Sequence, residues 1–132
     1  MARRQLNGKR IVLTGASSGI GRCLAKRLID AGARLLICGR RSDRLESVRK
    51  ECDVGSDRCL IRAGDVTVAL FQEQIMTACR ENWDGLDCLI NNAGITALGR
   101  FDTASEERLR QVFEVNFFAL TSLIRRSLPM LK

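Results

Sequence analysis

The chain has 132 residues, 45% of them apolar and 28% charged, a composition that fits a single globular domain with one core. No apolar run approaches the roughly 18 residues needed to cross a bilayer. The basic opening (1–10) is not followed by the apolar segment and cleavage site of a signal peptide, so no membrane partner and a cytoplasmic location are expected. The net charge of +7 suits an anionic ligand, but the basic residues are scattered and aromatics are only 5% of the chain, which argues against a nucleic-acid partner.

Residues 9–15 (KRIVLTG) read as a short buried strand ending in glycine. Residues 20–32 place Ile20, Leu24, Leu28 and Ile29 on one helical face, with Gly32 as the stop. A second strand is expected over 33–39, then a helix over 42–52 with Ser42 as its N-cap. A third strand lies within 58–66, a third helix over 68–82, and a fourth strand over 86–90, running into a polar turn. Thr103 and Glu106 form a capping box that opens a long helical stretch reaching the C-terminus, with the single proline, Pro129, in its last turn. Strand and helix alternate throughout, which predicts βαβ units, right-handed crossovers and a parallel sheet in an α/β fold.

Six cysteines occur, at 23, 38, 52, 59, 79 and 88. No pair has the two-residue spacing of a metal knuckle or redox motif, and most fall in apolar runs, so they read as small buried hydrophobes and no metal is expected. The chain has no histidine and no tyrosine. Acid–base chemistry within it is therefore left to carboxylates, thiols and lysines.

The stretch VLTGASSGIGR (12–22) carries Gly15, Gly19 and Gly21 between a strand and a helix. A helix opening this way leaves backbone N–H groups unpaired, and those donors together with the helix dipole favour a phosphate. Glycines let the backbone approach a pyrophosphate and let strand and helix pack closely, so the spacing is one form of the dinucleotide fingerprint. The second strand ends ICGRR. Gly39 stands where an acidic residue would select NAD, and Arg40 follows, where a guanidinium can grip the 2′-phosphate of NADP. The other reading of Arg40 and Arg41 is a solvated lead-in to a helix.

With TGASSGIGR, GDVT, NNAG and EVNFF in this order, the chain resembles the short-chain dehydrogenase/reductase family from about Lys9 onward. The resemblance implies a Rossmann-type doubly wound sheet, truncated, with strand order 3-2-1-4, in one NAD(P)-binding domain over 1–132 that is incomplete at its C-terminus. It implies that Gly15, Ser17, Ser18, Gly19, Ile20 and Gly21 wrap the pyrophosphate. Asp65 would meet the adenine amino group, Val66 the ring, and Asn92, Ala93 and Gly94 the adenosine ribose. Asn116 would match the helix asparagine of the catalytic tetrad. Each residue also has a plainer reading: Asp65 caps the next helix, Asn91 and Asn92 satisfy turn backbone, and Asn116 bends a long helix. Ser18 departs from the basic residue common there in NADP-preferring relatives.

The family's serine and Tyr-x-x-x-Lys are missing, so the chain is expected to be inactive alone, as the N-terminal portion of a longer enzyme or a truncated gene product. The function implied is NAD(P)-dependent hydride transfer to or from a small carbonyl or alcohol substrate, with NADP preferred over NAD. The alternative is a non-catalytic NADP(H)-binding or regulatory module. The fourth strand is expected at a sheet edge and Phe117, Phe118 and Leu123 bared, with a homo-oligomer through the C-terminal helix as one outcome.

Overall fold

A computed structural model describes residues 5–131. Strands β1 (Arg10–Leu13), β2 (Arg34–Gly39), β3 (Cys59–Ala63) and β4 (Cys88–Ile90) form one parallel sheet in the order β3-β2-β1-β4. The helices are α1 (Gly19–Asp30), α2 (Ser42–Glu51), α3 (Ala69–Trp83), α4 (Glu106–Phe113) and α5 (Leu120–Ser127). A six-residue π-helical segment, Glu114–Ala119, joins α4 to α5 without a break.

Alternation along the central strands splits the core into two layers. Ile11 and Leu13 of β1 and Leu35 and Ile37 of β2 face Ala25, Leu28 and Ile29 of α1 and Leu45 and Val48 of α2. Val12, Leu36 and Cys38 point the other way, onto Phe71, Ile75, Met76 and Trp83 of α3 and Leu123 of α5. Both faces of β1 and β2 are thus covered, which explains their continuous apolar runs. Each large side chain so buried contributes about 1.5–3 kcal/mol relative to exposure.

Below the sheet, Arg10 fastens β1 to the lead-in of β4. Its Nε donates to Asp87 Oδ2 at 2.7 Å, its backbone N–H to the same oxygen at 2.9 Å, and its Nη1 to the Trp83 carbonyl at 3.0 Å. The guanidinium holds the Asp87 carboxyl well below the usual carboxylate range.

Several expectations change at element ends. Ile20 is 79% exposed, so it is not on the core stripe, which runs through Gly21, Ala25, Leu28 and Ile29. Arg41 rather than Ser42 is the N-cap of α2, because the Arg41 carbonyl already accepts from the Leu45 N–H at 3.2 Å. Thr103 does not cap α4: it closes a separate 3₁₀ turn, and Ser105 caps instead, its Oγ accepting from the Arg108 N–H at 3.2 Å. The helix does not run to the chain end. It stops at Ser127, two residues before Pro129, which has no N–H and disfavours helix in the residue before it. Leu131 then forms an isolated parallel bridge with Leu86, whose N–H donates to the Met130 carbonyl at 3.0 Å. β4 pairs with β1 alone among the named strands, at the sheet edge as expected. Leu123 is buried rather than bared, whereas Phe117 and Phe118 are half exposed. Cys38, Cys52, Cys59 and Cys79 are buried and unpaired, and Cys23 is exposed. No helix among the described residues is long and apolar enough to cross a membrane.

Candidate functional site

The chain leaves β1 toward β2 on one side and returns from β3 to β4 on the other. The crevice between β1 and β4, beyond their carboxyl ends, is therefore the topological switch point, where open α/β sheets hold ligands. A cleft of about 810 Å³ opens there. It is lined by Gly15 and Ser17–Ile20 after β1, Gly39–Arg41 after β2, Gly64–Thr67 after β3, Asn92–Ile95 after β4, and Arg110, Gln111, Glu114 and Val115 on the helical wall.

Two glycines of the first turn have no room for a side chain. Gly15 has φ +66°, and a Cβ there would lie 2.8 Å from the Ala93 backbone. A Cβ on Gly21 would overlap the Gly15 carbonyl oxygen and come within 2.6 Å of Asn92 Nδ2. Gly19, with φ +55°, has open space around it. Ser18 makes no side-chain cap to α1, and the first turn of that helix holds no acidic residue. Its N–H groups, which lack intrahelical acceptors, are left for an anion at the cleft.

The turn after β4 is locked to this loop by Thr14. Its buried Oγ1 accepts from the N–H groups of Asn92 and Ala93, each at 3.0 Å. The Asn92 side chain donates back to the Gly15 carbonyl at 3.0 Å. Asn92 therefore fills the turn-satisfying role and also lines the cleft. Asp65 does likewise: its Oδ1 accepts from the Thr67 N–H at 2.9 Å and from the Thr67 hydroxyl at 2.8 Å.

Arg40 and Arg41 are exposed on the wall beyond Gly39, and their guanidinium groups make no hydrogen bond or ion pair with another described residue. An acidic side chain at 39 would be crowded, since even a Cβ there sits 3.3 Å from the Ser17 Cβ and 3.4 Å from Leu45. The donor set of helix N–H groups and two unpaired guanidiniums fits an elongated ligand with phosphates in two places.

Asn116 sits on the π-helical segment and does not line the cleft. Its side chain clamps the chain after β4, accepting from the Ile95 N–H at 2.8 Å and donating to the Ile95 carbonyl at 2.7 Å. It reaches another segment instead of bonding to its own helix. Gly94 lies against it, with a Cβ there 3.3 Å from Asn116 Oδ1. The structure thus gathers the expected residues around one cleft, with Gly21 beneath its floor and Asn116 behind its wall.

Sequence reasoning missed Thr14 and the helical wall at Arg110, Gln111, Glu114 and Val115. A hydroxyl closing an apolar strand was a visible signal for Thr14. Burial pushes the thiol of Cys59 up to about 12 and that of Cys79 to about 11, and raises Cys38 as well. None of the three offers a thiolate near neutral pH.

The family model described as short chain dehydrogenase matches residues 9–132. An Arabidopsis thaliana protein named 11-beta-hydroxysteroid dehydrogenase-like 4A is 34% identical over 97% of this chain and 44% of its own length. A Gallus gallus protein named hydroxysteroid 11-beta-dehydrogenase 1-like protein is 31% identical over 97% of this chain and 45% of its own length. Among solved structures, a short-chain dehydrogenase/reductase from Brucella melitensis superposes with a TM-score of 0.92 at 26% identity, covering 97% of this chain and 52% of the other. The chain spans about half the length of these relatives, and on this match it belongs to the short-chain dehydrogenase family.

Proposed function

We propose that the cleft binds NADP(H), with NAD(H) as the weaker ligand, and that the chain is the cofactor-binding portion of an oxidoreductase acting on a small carbonyl or alcohol. The observation that carries this reading is that the uncapped N-terminus of α1 and the unpaired guanidinium-bearing residues Arg40 and Arg41 line the same cleft, after neighbouring strands β1 and β2. The N–H groups after Ser18 would take the pyrophosphate, with Gly19 leaving open space on the ligand side and Gly15 and Gly21 packing the turn against the chain behind it. Asp65 keeps one carboxylate oxygen beyond its bonds to Thr67 for the adenine amino group, and Val66 supplies an apolar wall. Asn92, Ala93 and Gly94 would line the ribose side. When bound, the nicotinamide would supply the hydride chemistry. Asn116 would hold the Ile95 segment beside it and position the proton relay.

Within these 132 residues no tyrosine or histidine is present to donate the proton. On this reading the acid–base group lies outside them, and the chain alone does not turn over. The same observation supports a second reading, a non-catalytic NADP(H)-binding or regulatory module. The helical face bearing half-exposed Phe117 and Phe118 is proposed as the surface for a second copy, which sedimentation would detect.

Titration with NADPH and NADH tests the cofactor assignment. Replacing Arg40 with Ala should weaken NADPH by about 1.5–3 kcal/mol, the worth of a charge-assisted bond, and leave NADH nearly unchanged. Equal losses would sink the phosphate role. Incubating purified chain with NADPH and a panel of aldehydes, ketones and quinones tests inactivity. Turnover that disappears in Gly19→Trp would show that the acid–base group lies within the chain.

A further inference from the structure

The two walls at the adenosine end of the cleft come from different parts of the chain. One is the exit of β3, with Gly64, Asp65 and Val66. The other is the helical wall, with Glu114 and Val115. Between them lies Gln72, in the first turn of α3, only 2% exposed. Its Nε2 donates to the Val66 carbonyl at 2.7 Å and to the Ala119 carbonyl at 3.2 Å. Its Oε1 accepts from Ser122 Oγ at 2.8 Å and from Arg126 Nε at 3.1 Å. Both donors and both acceptor sites of the amide are therefore used.

A buried amide is costly unless paired, and the residues around α3 at this depth are otherwise apolar, as Phe71, Ile75 and Met76 show. An aliphatic side chain at 72 could fill the space but could not join the walls. The partners follow a pattern. Val66 belongs to one wall. Ala119 is the last residue of the π-helical segment, and Ser122 and Arg126 lie on α5. A π-helical turn is a rare geometry found mostly at functional sites, and it persists where its surroundings over-determine it. Here it is held at the front by the Asn116–Ile95 clamp and at the back by Gln72.

We infer that Gln72 is a positioning residue that sets the separation of the two cleft walls and keeps the π-helical segment in the register that aims Asn116 at Ile95. For its effect on ligand affinity, the inference rests on the cleft being the cofactor site. For its effect on Asn116, it does not.

The test compares Gln72→Glu and Gln72→Leu with the unmodified chain. Glu keeps the shape and the acceptor side toward Ser122 and Arg126 but, once ionised, donates to neither carbonyl. Leu keeps the volume and removes every bond. Amide hydrogen exchange is followed at Ile95, whose N–H is bonded to Asn116, and in β1 and β2 as internal controls. Both variants should speed exchange at Ile95 by about tenfold, the loss expected when one hydrogen-bonded anchor goes. The β1 and β2 amides report any loss of global stability, so the inference is read from the Ile95 effect in excess of theirs; a merely structural contribution to stability would leave no such excess. Unchanged exchange at Ile95 in folded variants would overturn the inference. If both variants unfold, Ser122→Ala, which removes one bond to the Gln72 oxygen, decides it: faster exchange at Ile95 supports the inference and no change overturns it. Adenosine 2′,5′-bisphosphate serves as the probe for the adenosine end, and Gln72→Glu should bind it several-fold more weakly. Failure of the unmodified chain to bind the probe would sink the cofactor reading, while the exchange at Ile95 would still judge Gln72.

Discussion

The cleft has two sides built by different means. The β1–β2 side is made by backbone packed on backbone: Gly15 and Gly21 leave no space for a Cβ, and the apolar residues of the strands beneath them, Ile11–Leu13 and Leu35–Cys38, are buried. The helical side is made by side chains reaching across gaps, Asn116 to Ile95 and Gln72 to Ala119, with Phe113, Phe117 and Phe118 on an exposed outer face. Close backbone approach demands one residue type, so the first side tolerates almost no substitution. Side-chain bridges depend on pairs, so the second side loosens by degrees. The first side suits rigid gripping of a ligand, and the second suits adjustment around it.

The largest effect should come from breaking the first side. Gly21→Val drives side-chain atoms into the Gly15 carbonyl and the Asn92 amide, and backbone cannot yield as a flexible side chain can. Overpacking of this kind should cost about 3 kcal/mol or more, read as a drop in urea-unfolding stability. Gly19→Ala is the control within the same loop. It meets open space and bears only the left-handed backbone penalty of about 1–2 kcal/mol. Equal losses for the two variants would mean that the turn is not packed as described.

Next comes the lock between the turns. Thr14→Val keeps the shape but removes the oxygen that accepts from Asn92 and Ala93. Leaving such donors without a partner should cost about 2 kcal/mol in thermal or chemical unfolding, while Thr14→Ser retains most of the stability. If Val and Ser behave alike, the lock is packing and not hydrogen bonding.

Ion pairs draw the same contrast. The half-shielded Asp87 carboxyl is held low by Arg10, so its folded value lies below the unfolded one of about 3.9. That stability is fully present above the unfolded value and is lost as pH falls through the folded one. The chain should therefore lose about 2 kcal/mol between about pH 5 and pH 2 through this group. Asp87→Asn should be less stable at neutral pH and converge with the unmodified chain in acid. The Arg100–Asp102 pair on the helical side has the same chemistry, but its side chains are 81% and 59% exposed. Asp102→Asn should leave unfolding at neutral pH unchanged, because solvent screens such pairs.

The legible part of the molecule is the part fixed by local pattern. The strands and the glycine turn follow from short apolar runs and glycine spacing, the 3-2-1-4 order follows from the strand–helix alternation together with the family resemblance, and residues from Gly15 to Gly94 line one cleft. What escaped was decided at a distance. Thr14 meets Asn92 and Ala93 across more than seventy residues of chain, and Gln72 meets Ala119 across 47. No window of sequence shows that a glutamine in an apolar helix turn has four partners. Ile20 misled for a related reason: helical spacing placed it with Leu24 and Leu28, but it sits in the first turn at the cleft mouth, where there is no core to face.

The smallest expected effect concerns the start of the helical wall. Two hydroxyls compete as caps in the sequence, Thr103 with Glu106 in the usual box spacing, and Ser105 without an acidic partner three residues on. The structure chooses Ser105 because Phe101–Thr103 close their own turn and the Thr103 hydroxyl bonds to the Arg100 carbonyl at 3.2 Å. Ser105 has extended backbone, φ −68° and ψ 144°, which aims its Oγ at the Arg108 N–H. Ser105→Ala should then cost about 1 kcal/mol, the usual worth of a cap, and exchange of the Arg108 amide should quicken. Thr103→Ala should leave that amide untouched and cost only a few tenths of a kcal/mol, as expected for an exposed turn. Circular dichroism and amide exchange on the two variants separate the cases. If Thr103→Ala quickens exchange at the first turn of α4 and Ser105→Ala does not, the helix begins where the box pattern put it, and the wall is anchored two residues earlier than the structure has it.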